Sequence, residues 1–556
     1  VGGFQALAVP RRSPPPLDGA ALAVLAPILV YAGGLVFQVF LGHPVEVRAI
    51  AFFAMGLPVL VAWAAWWQWS HPAEKAAHRR QHATPDLAPL ALQADPLADR
   101  AVAALVGPWE AGGAAVGEGA RRLAQANRVM AGWTHNAVLE GDWSAGSGAD
   151  PAVTRALEDY LAQGRRLPDW ADADKIRRAE ALFMEQGPLS CTLLFCASLP
   201  ECYLLPQLAE VLHIAGQLEQ HTEHRIRQTA AMVFPVMMKG GLTDPEGAGV
   251  AQVLKVRLIH ATIRHLILRG DPERVRGTVP ATTSVEGGSP GSGAGMHAAL
   301  MAHGWDVDAQ GLPCNQVELA YTLLTFSYSV LKGMRTLGLA LPREDEEAYL
   351  HAWNVMGHVL GVRRELMAWT MEEAAVLFGR VQAQAGLLPG QADARPPLGR
   401  ALMAAMARSI RIPVIRQLPV PLTRWLVGPA VAARVGIDGH VSLAARVLFQ
   451  LGRLLVGVTD GVVRLVVPGF SLSRLFTRVI GYHLLTRFLM DQTRPLALPE
   501  RVLHPMGEMV SAWSHDATAP GWVNALEDRL TVVGDWRGAA RRGADATGST
   551  RVGHFS

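Results

Sequence analysis

With 556 residues the chain has room for two or three ordinary domains or one large one. Hydrophobic residues make up 50% and charged ones 18%, and the mean hydropathy is positive, which is richer in apolar matter than an average soluble chain. The balance of 51 basic against 48 acidic residues leaves +3, so no charge footprint points to nucleic acid as a partner.

The first predicted unit is residues 1–75. No charged residue occurs from Gly19 to Val45 or from Ala49 to Ser70, and the second run ends in Trp66-Trp67-Gln68-Trp69. Each run is long enough for a helix across a hydrocarbon layer of about 30 Å, and tryptophans suit the membrane–water interface. The sequence therefore predicts a transmembrane helical hairpin, with helices over about 20–41 and 49–69. A cleaved signal peptide is the competing reading, but its apolar region would be too long and a second span follows at once. Two buried core helices are the other alternative. Glu46 and Arg48 are the charges between the runs, whereas Arg11, Arg12, Lys75, Arg79 and Arg80 flank their outer ends. Positive flanks put both ends, and the domain that follows, on the cytoplasmic side.

Residues 76–94 are polar with prolines and read as a linker. Residues 95–400 follow a helical period, predicting an all-α domain. Ala251–Ile267 sets Val253, Val256, Ile259, His260 and Ile263 on one apolar stripe, Val317–Met334 reads as one long helix, and Glu344–Leu360 opens on acidic residues that suit a helix start. Within this domain 276–295 is rich in Gly, Ser and Thr and is expected to be a mobile insertion. From 401 to 500 the chain is apolar but broken by Arg408, Arg411, Arg416, Arg424, Arg434, Arg446 and Arg453. Core helices and helices lying on a membrane surface with snorkelling arginines both fit better than further spans. Residues 534–556 are Gly/Arg-rich and expected to be disordered.

Four cysteines (Cys191, Cys196, Cys202, Cys314) are too few for a disulfide scaffold, lack zinc spacing and form no CxxCH, which excludes covalent c-type haem attachment. Three of them lie in an apolar stretch, as structural thiols do. No GxSxG, Walker loop, GxGxxG or HExxH occurs, nor the paired Glu-x-x-His of a di-iron bundle. Histidine on helices remains. Arg257, His260 and Arg264 stand at i, i+3 and i+7 on one helical face. A neutral imidazole there suits a haem iron, with the arginines as partners for haem propionates. A hydrogen-bonded core histidine beside a salt-bridged surface is the plainer reading. Arg225, Gln228 and Thr229, at i, i+3 and i+4, form a polar trio able to orient O2 or a developing oxyanion, or else mark an exposed helix start. His213 and His265 are weaker rivals to His260. His351 and His358 suit packing or hydrogen bonding, and Gln316 and Glu318 suit a helix cap.

Four ordered stretches resemble the rubber oxygenase family, which includes latex clearing protein and the ER-bound oxygenase of mycophenolic acid biosynthesis. They are Pro168-Asp-Trp-Ala171; Leu199-Pro-Glu-Cys-Tyr203 with Ala215-Gly-Gln-Leu218, Arg225 and Thr229; Val256-Arg-Leu-Ile-His260-Ala with Arg264; and Cys314-Asn-Gln-Val-Glu318 followed by Ala348-Tyr-Leu-His351-Ala-Trp353 and Gly357-His-Val-Leu-Gly361. The resemblance covers about residues 95–384. It implies a partly globin-like helical fold, non-covalently bound haem b, and O2-dependent cleavage of C=C bonds in an isoprenoid substrate. It also implies His260 as proximal iron ligand and Arg225 with Thr229 as distal polar groups. In latex clearing protein a lysine precedes that threonine; here Gln228 stands there, a poor iron ligand. A non-catalytic haem- or lipid-binding membrane sensor or carrier on the same fold is the alternative.

Overall fold

A computed structural model describes residues 85–111, 117–141, 143–146, 148–216, 229–230, 232–270, 293–410, 416–439 and 441–452. The expected hairpin of residues 1–75, Arg225, Gln228, most of the 276–295 insertion and the 534–556 tail lie outside them. Among the described residues every regular element is a helix, so the all-α class is observed. The helices of nine residues or more are α1 (Pro96–Val106), α2 (Glu118–Ala131), α3 (Pro151–Gly164), α4 (Ala173–Glu185), α5 (Pro206–Gly216), α6 (Gly249–Arg269), α7 (Gly293–His303), α8 (Gln316–Phe326), α9 (Tyr328–Thr336), α10 (Arg343–Leu360), α11 (Met371–Ala383), α12 (Arg395–Ser409), α13 (Pro419–Val427) and α14 (Leu443–Gly452).

Their starts follow from side chains that satisfy otherwise orphaned N–H groups. Asp95 accepts from the Leu97 and Ala98 N–H groups at the head of α1, Asp150 from Ala152 at α3, and Asp172 from Asp174 and Lys175 at α4. Pro96 and Pro151 take first-turn positions, where a missing N–H costs nothing. Asn315 and Glu318 form a reciprocal capping box on α8. At the other end of α10, Gly361 adopts φ +93° and the Val362 N–H returns to the Gly357 carbonyl.

Helix α6 is the spine. It packs against α1, α7 and α10, while α10 lies along α4 and α1 along α3. Val253, Leu254, Leu258 and Ala261 of α6 are 3% exposed or less, and burial of each larger side chain contributes roughly 1.5–3 kcal/mol. Trp133, Tyr160, Phe234, Tyr321 and Trp353 fill the centre with less than 2% exposure.

Three expectations change. The single helix read over Val317–Met334 breaks at Ser327, whose hydroxyl turns back to donate to the Leu323 carbonyl and competes with the backbone ladder. The last ten residues of the expected linker pack onto the domain: Ala88–Ala91 is a helical turn, and Leu87 and Leu90 are 1% and 3% exposed. Helix α7 begins at Gly293, inside the end of the expected insertion. Between the turn Gly187–Leu193 and Leu199–Cys202 the helix widens to a π-turn over Leu194–Ser198. Pro200 has no N–H to return to the Cys196 carbonyl, and the wider turn absorbs that loss. Among the described residues no single helix is long and apolar enough to cross a membrane.

Candidate functional site

Two buried arginines fix α6 in place. Arg257 donates from Nε and Nη2 to the two carboxylate oxygens of Asp95 at 2.5 and 2.7 Å, and from Nη1 to the Val359 carbonyl at 2.9 Å. Arg264, with no exposed surface, donates from Nε and Nη2 to Asp99 Oδ1 at 3.0 and 2.7 Å and from Nη1 to the Pro313 and Cys314 carbonyls. Both donor sets expected to meet haem propionates are thus already engaged by α1. The physical reason is burial: a guanidinium inside the protein needs an anion beside it, and Asp95 and Asp99 lie one turn apart on the helix packed against α6. Cys314 holds φ +52°, the left-handed region that a non-glycine residue enters at a cost of about 1 kcal/mol or more. Its carbonyl is the one that meets Arg264. A Cβ on Gly361 would stand 2.6 Å from Asp95 Oδ2 and 2.9 Å from Arg257 Nε, so only glycine fits against this ion pair.

The other side of α6 is different in character. Val256, His260 and Ile263 are half-buried and Ile259 is 46% exposed. Except for Val253, the apolar stripe is therefore the less buried side, because the arginines occupy the inner one. His260 sits in this apolar face with Nδ1 buried and without a hydrogen-bond partner. Burial, helped by the Arg264 charge, pulls its pKa down to about 4, so the imidazole is neutral at physiological pH. A neutral imidazole among apolar neighbours is suited to bind a soft-enough metal or a flat apolar cofactor. Among the described residues no group of three or more His, Cys, Asp or Glu side chains could hold a metal ion by itself. A single neutral imidazole matches the one side chain with which a protein holds a haem iron from one side.

Thr229 is helical and half-buried, in a stretch that continues into buried Val233 and Phe234. Those two residues line a narrow apolar cavity with Phe183, Leu194, Phe326 and Trp353, which has room for about one water molecule (10 Å3). His265 is buried edge-on to Trp109 at 4.7 Å, 3.6 Å from Asp99 and away from the apolar face. His213 is exposed. His351 Nε2 accepts from the Asp172 N–H at 2.9 Å, and with His358 it packs edge-on to Trp170. The first and last of the four sequence stretches therefore meet at Trp170. Gln316 donates to the Ala94 and Gly361 carbonyls and accepts from Arg363, tying α8 to both ends of the Asp95–Arg257 contact. Asp95 and Asp99 escaped the sequence reading. Their signal was an acidic pair one turn apart, the N-cap and the first turn of a mostly apolar helix.

Residues 191–458 match the family described as ER-bound oxygenase mpaB/B'/Rubber oxygenase, catalytic domain. The rubber oxygenase of Streptomyces sp. (strain K30) is 25% identical over 297 residues, 53% of this chain and 61% of that protein, so the chain spans less than two thirds of this relative's length. The structure of latex clearing protein in the closed state aligns with a TM-score of 0.46 at 19% identity, covering 76% of this chain and 90% of that one. Asp95 and Asp99, which hold α6, lie before the matched segment. Over residues 191–458 the chain is therefore similar to the catalytic domain of the rubber oxygenase and ER-bound mpaB-type oxygenase family.

Proposed function

We propose that this protein is a haem b-dependent oxygenase that uses O2 to oxidise or cleave C=C bonds in an apolar, isoprenoid-like substrate, held at the cytoplasmic face of a membrane by the hairpin read over residues 20–69. The observation that carries the reading is His260: a neutral imidazole whose Nδ1 is buried without a partner, on the apolar face of a helix clamped from behind. Bound haem would supply the one-electron and O2 chemistry that no side chain can. The protein's part is to present the imidazole, keep it unprotonated and hold the helix still. In this reading Arg225 and Thr229 would orient O2 by hydrogen bonding, and Gln228, a neutral amide, would be a poor ligand for iron. Val256, Ile259 and Ile263 would offer the macrocycle an apolar surface beside His260. Arg257 and Arg264 act as positioning residues through Asp95 and Asp99 rather than on the cofactor. A membrane anchor suits a substrate that partitions into lipid, since it need not cross water to reach the domain.

The ultraviolet–visible spectrum of the purified full-length protein tests the cofactor assignment. A Soret band is expected, shifted or lost in His260→Ala; no band, or an identical one in the variant, overturns it. Given haem, O2 uptake with a polyprenyl substrate and appearance of carbonyl products separates an oxygenase from a non-catalytic sensor or carrier.

A further inference from the structure

Helix α14 (Leu443–Gly452) rests on the domain through one side only. Ala445 is 5% exposed, and the Phe449 ring meets Trp425 of α13 edge-on at 6.1 Å. On the opposite side Leu443 is 74% exposed, Leu451 58%, Val447 48% and Leu448 38%. At 100° per residue these four fall on one continuous face. Eight large apolar side chains are exposed among the described residues, and half of them are on this ten-residue helix. A cluster of this kind marks a contact surface rather than ordinary surface scatter.

Charge identifies the contact. Residues 401–490 hold eleven arginines and no lysine against Asp438 and Asp460, so 11 − 2 = +9, while the whole chain is +3 and the rest is therefore −6. Arg416, Arg424 and Arg446 donate to backbone carbonyls of Ile410, Ile437 and Val441, and among the described residues none of the three pairs with a carboxylate. A second copy of this face would be repelled. Covering it with residues 453–490 would bring in five more arginines and one aspartate. An anionic bilayer satisfies both properties at once, since acyl chains receive the leucines and phosphates receive the guanidinium groups.

We propose that α14 and the arginines around it dock this domain onto an anionic lipid surface. This inference is independent of the haem assignment, because its readout needs no cofactor. The test uses full-length protein carrying Leu448→Cys, labelled with an environment-sensitive fluorophore and reconstituted into phosphatidylcholine vesicles with and without phosphatidylglycerol. Cys191, Cys196 and Cys202 are buried, and burial holds the Cys314 thiol protonated, so the new exposed thiol takes the label first. Any membrane hairpin is the same in both vesicles. The expected result is severalfold stronger quenching by a lipid-borne nitroxide in the anionic vesicles, weakened by salt and abolished by Leu443→Asp with Leu451→Asp. Blue-shifted emission that the lipid quencher does not touch means that the chain itself or a second copy covers the face, and overturns the proposal. Water-like emission in both vesicles, or equal quenching in both, overturns it as well.

Discussion

Glu318 shows how one residue can serve a helix and still leave a titration behind. Its carboxylate accepts from the Asn315 N–H to complete the α8 cap, and burial raises its pKa to about 8. The folded value lies above the unfolded one, so the folded state binds the proton more tightly. Its stabilising contribution is full below about pH 4.5 and is lost as pH rises through about 8. Glu318→Gln keeps an acceptor and removes the titration. Melting curves across this range are expected to show wild type losing stability relative to the variant as pH rises; parallel pH profiles would exclude the idea. Gly361 is a sharper case. Alanine there combines φ +93° with contacts of 2.6 and 2.9 Å to the Asp95–Arg257 pair, so Gly361→Ala is expected to cost more than ~1 kcal/mol in urea denaturation.

At the scale of elements, the α1–α6 contact is an ionic joint inside an apolar packing. Removing one partner of such a pair strands the other charge, at about 3–5 kcal/mol. Asp99→Ala and Arg264→Ala are therefore each expected to lower the unfolding free energy measured in urea by that order. The apolar pair Asp99→Leu with Arg264→Met should recover most of the loss, and a double variant as weak as the sum of the singles would show that no such pairing exists. The helices α6 and α10 were legible in the sequence, because periodicity and acidic first turns are local signals. The side of α6 that faces inward was not. Apolar periodicity favoured Val256, Ile259 and Ile263, but the inner face is set by Asp95 and Asp99, about 160 residues away, and no local pattern reports a partner at that distance. The break at Ser327 was hidden for a related reason. Neither Gly nor Pro marks it, and a serine hydroxyl competing for one carbonyl is a weak punctuation mark. The pairing of Gln316 with Ala94 and Gly361 was likewise unreadable, although its place at a helix start was clear.

For the whole molecule, a ligand that binds only the folded state raises its stability by mass action. Haem at a hundred times its Kd should add about 2.7 kcal/mol of unfolding free energy. Titrating haem into apoprotein and following Tm is expected to give a rising curve for wild type and a flat one for His260→Ala. A similar rise in both would place the cofactor elsewhere. The family resemblance was visible in the sequence, because residues such as Trp170 and His351, in contact with each other, and Gly361, against the Asp95–Arg257 pair, are each fixed by packing.

The clamp on α6 also bears on how freely this chain can change length. Arg257 and Arg264 grip a stretch of about 10 Å along the helix axis, and His260 lies between them. Beyond Arg264, the Arg269 guanidinium donates to the Pro108 carbonyl and fastens the helix end as well. A change in the number of residues between Gly270 and Gly293 therefore meets three anchors before it can move the imidazole. The Gly/Ser-rich segment of this sequence falls in that interval. Insertions or deletions there are mechanically uncoupled from the site, and the segment can diverge in length and composition while the position of His260 is conserved.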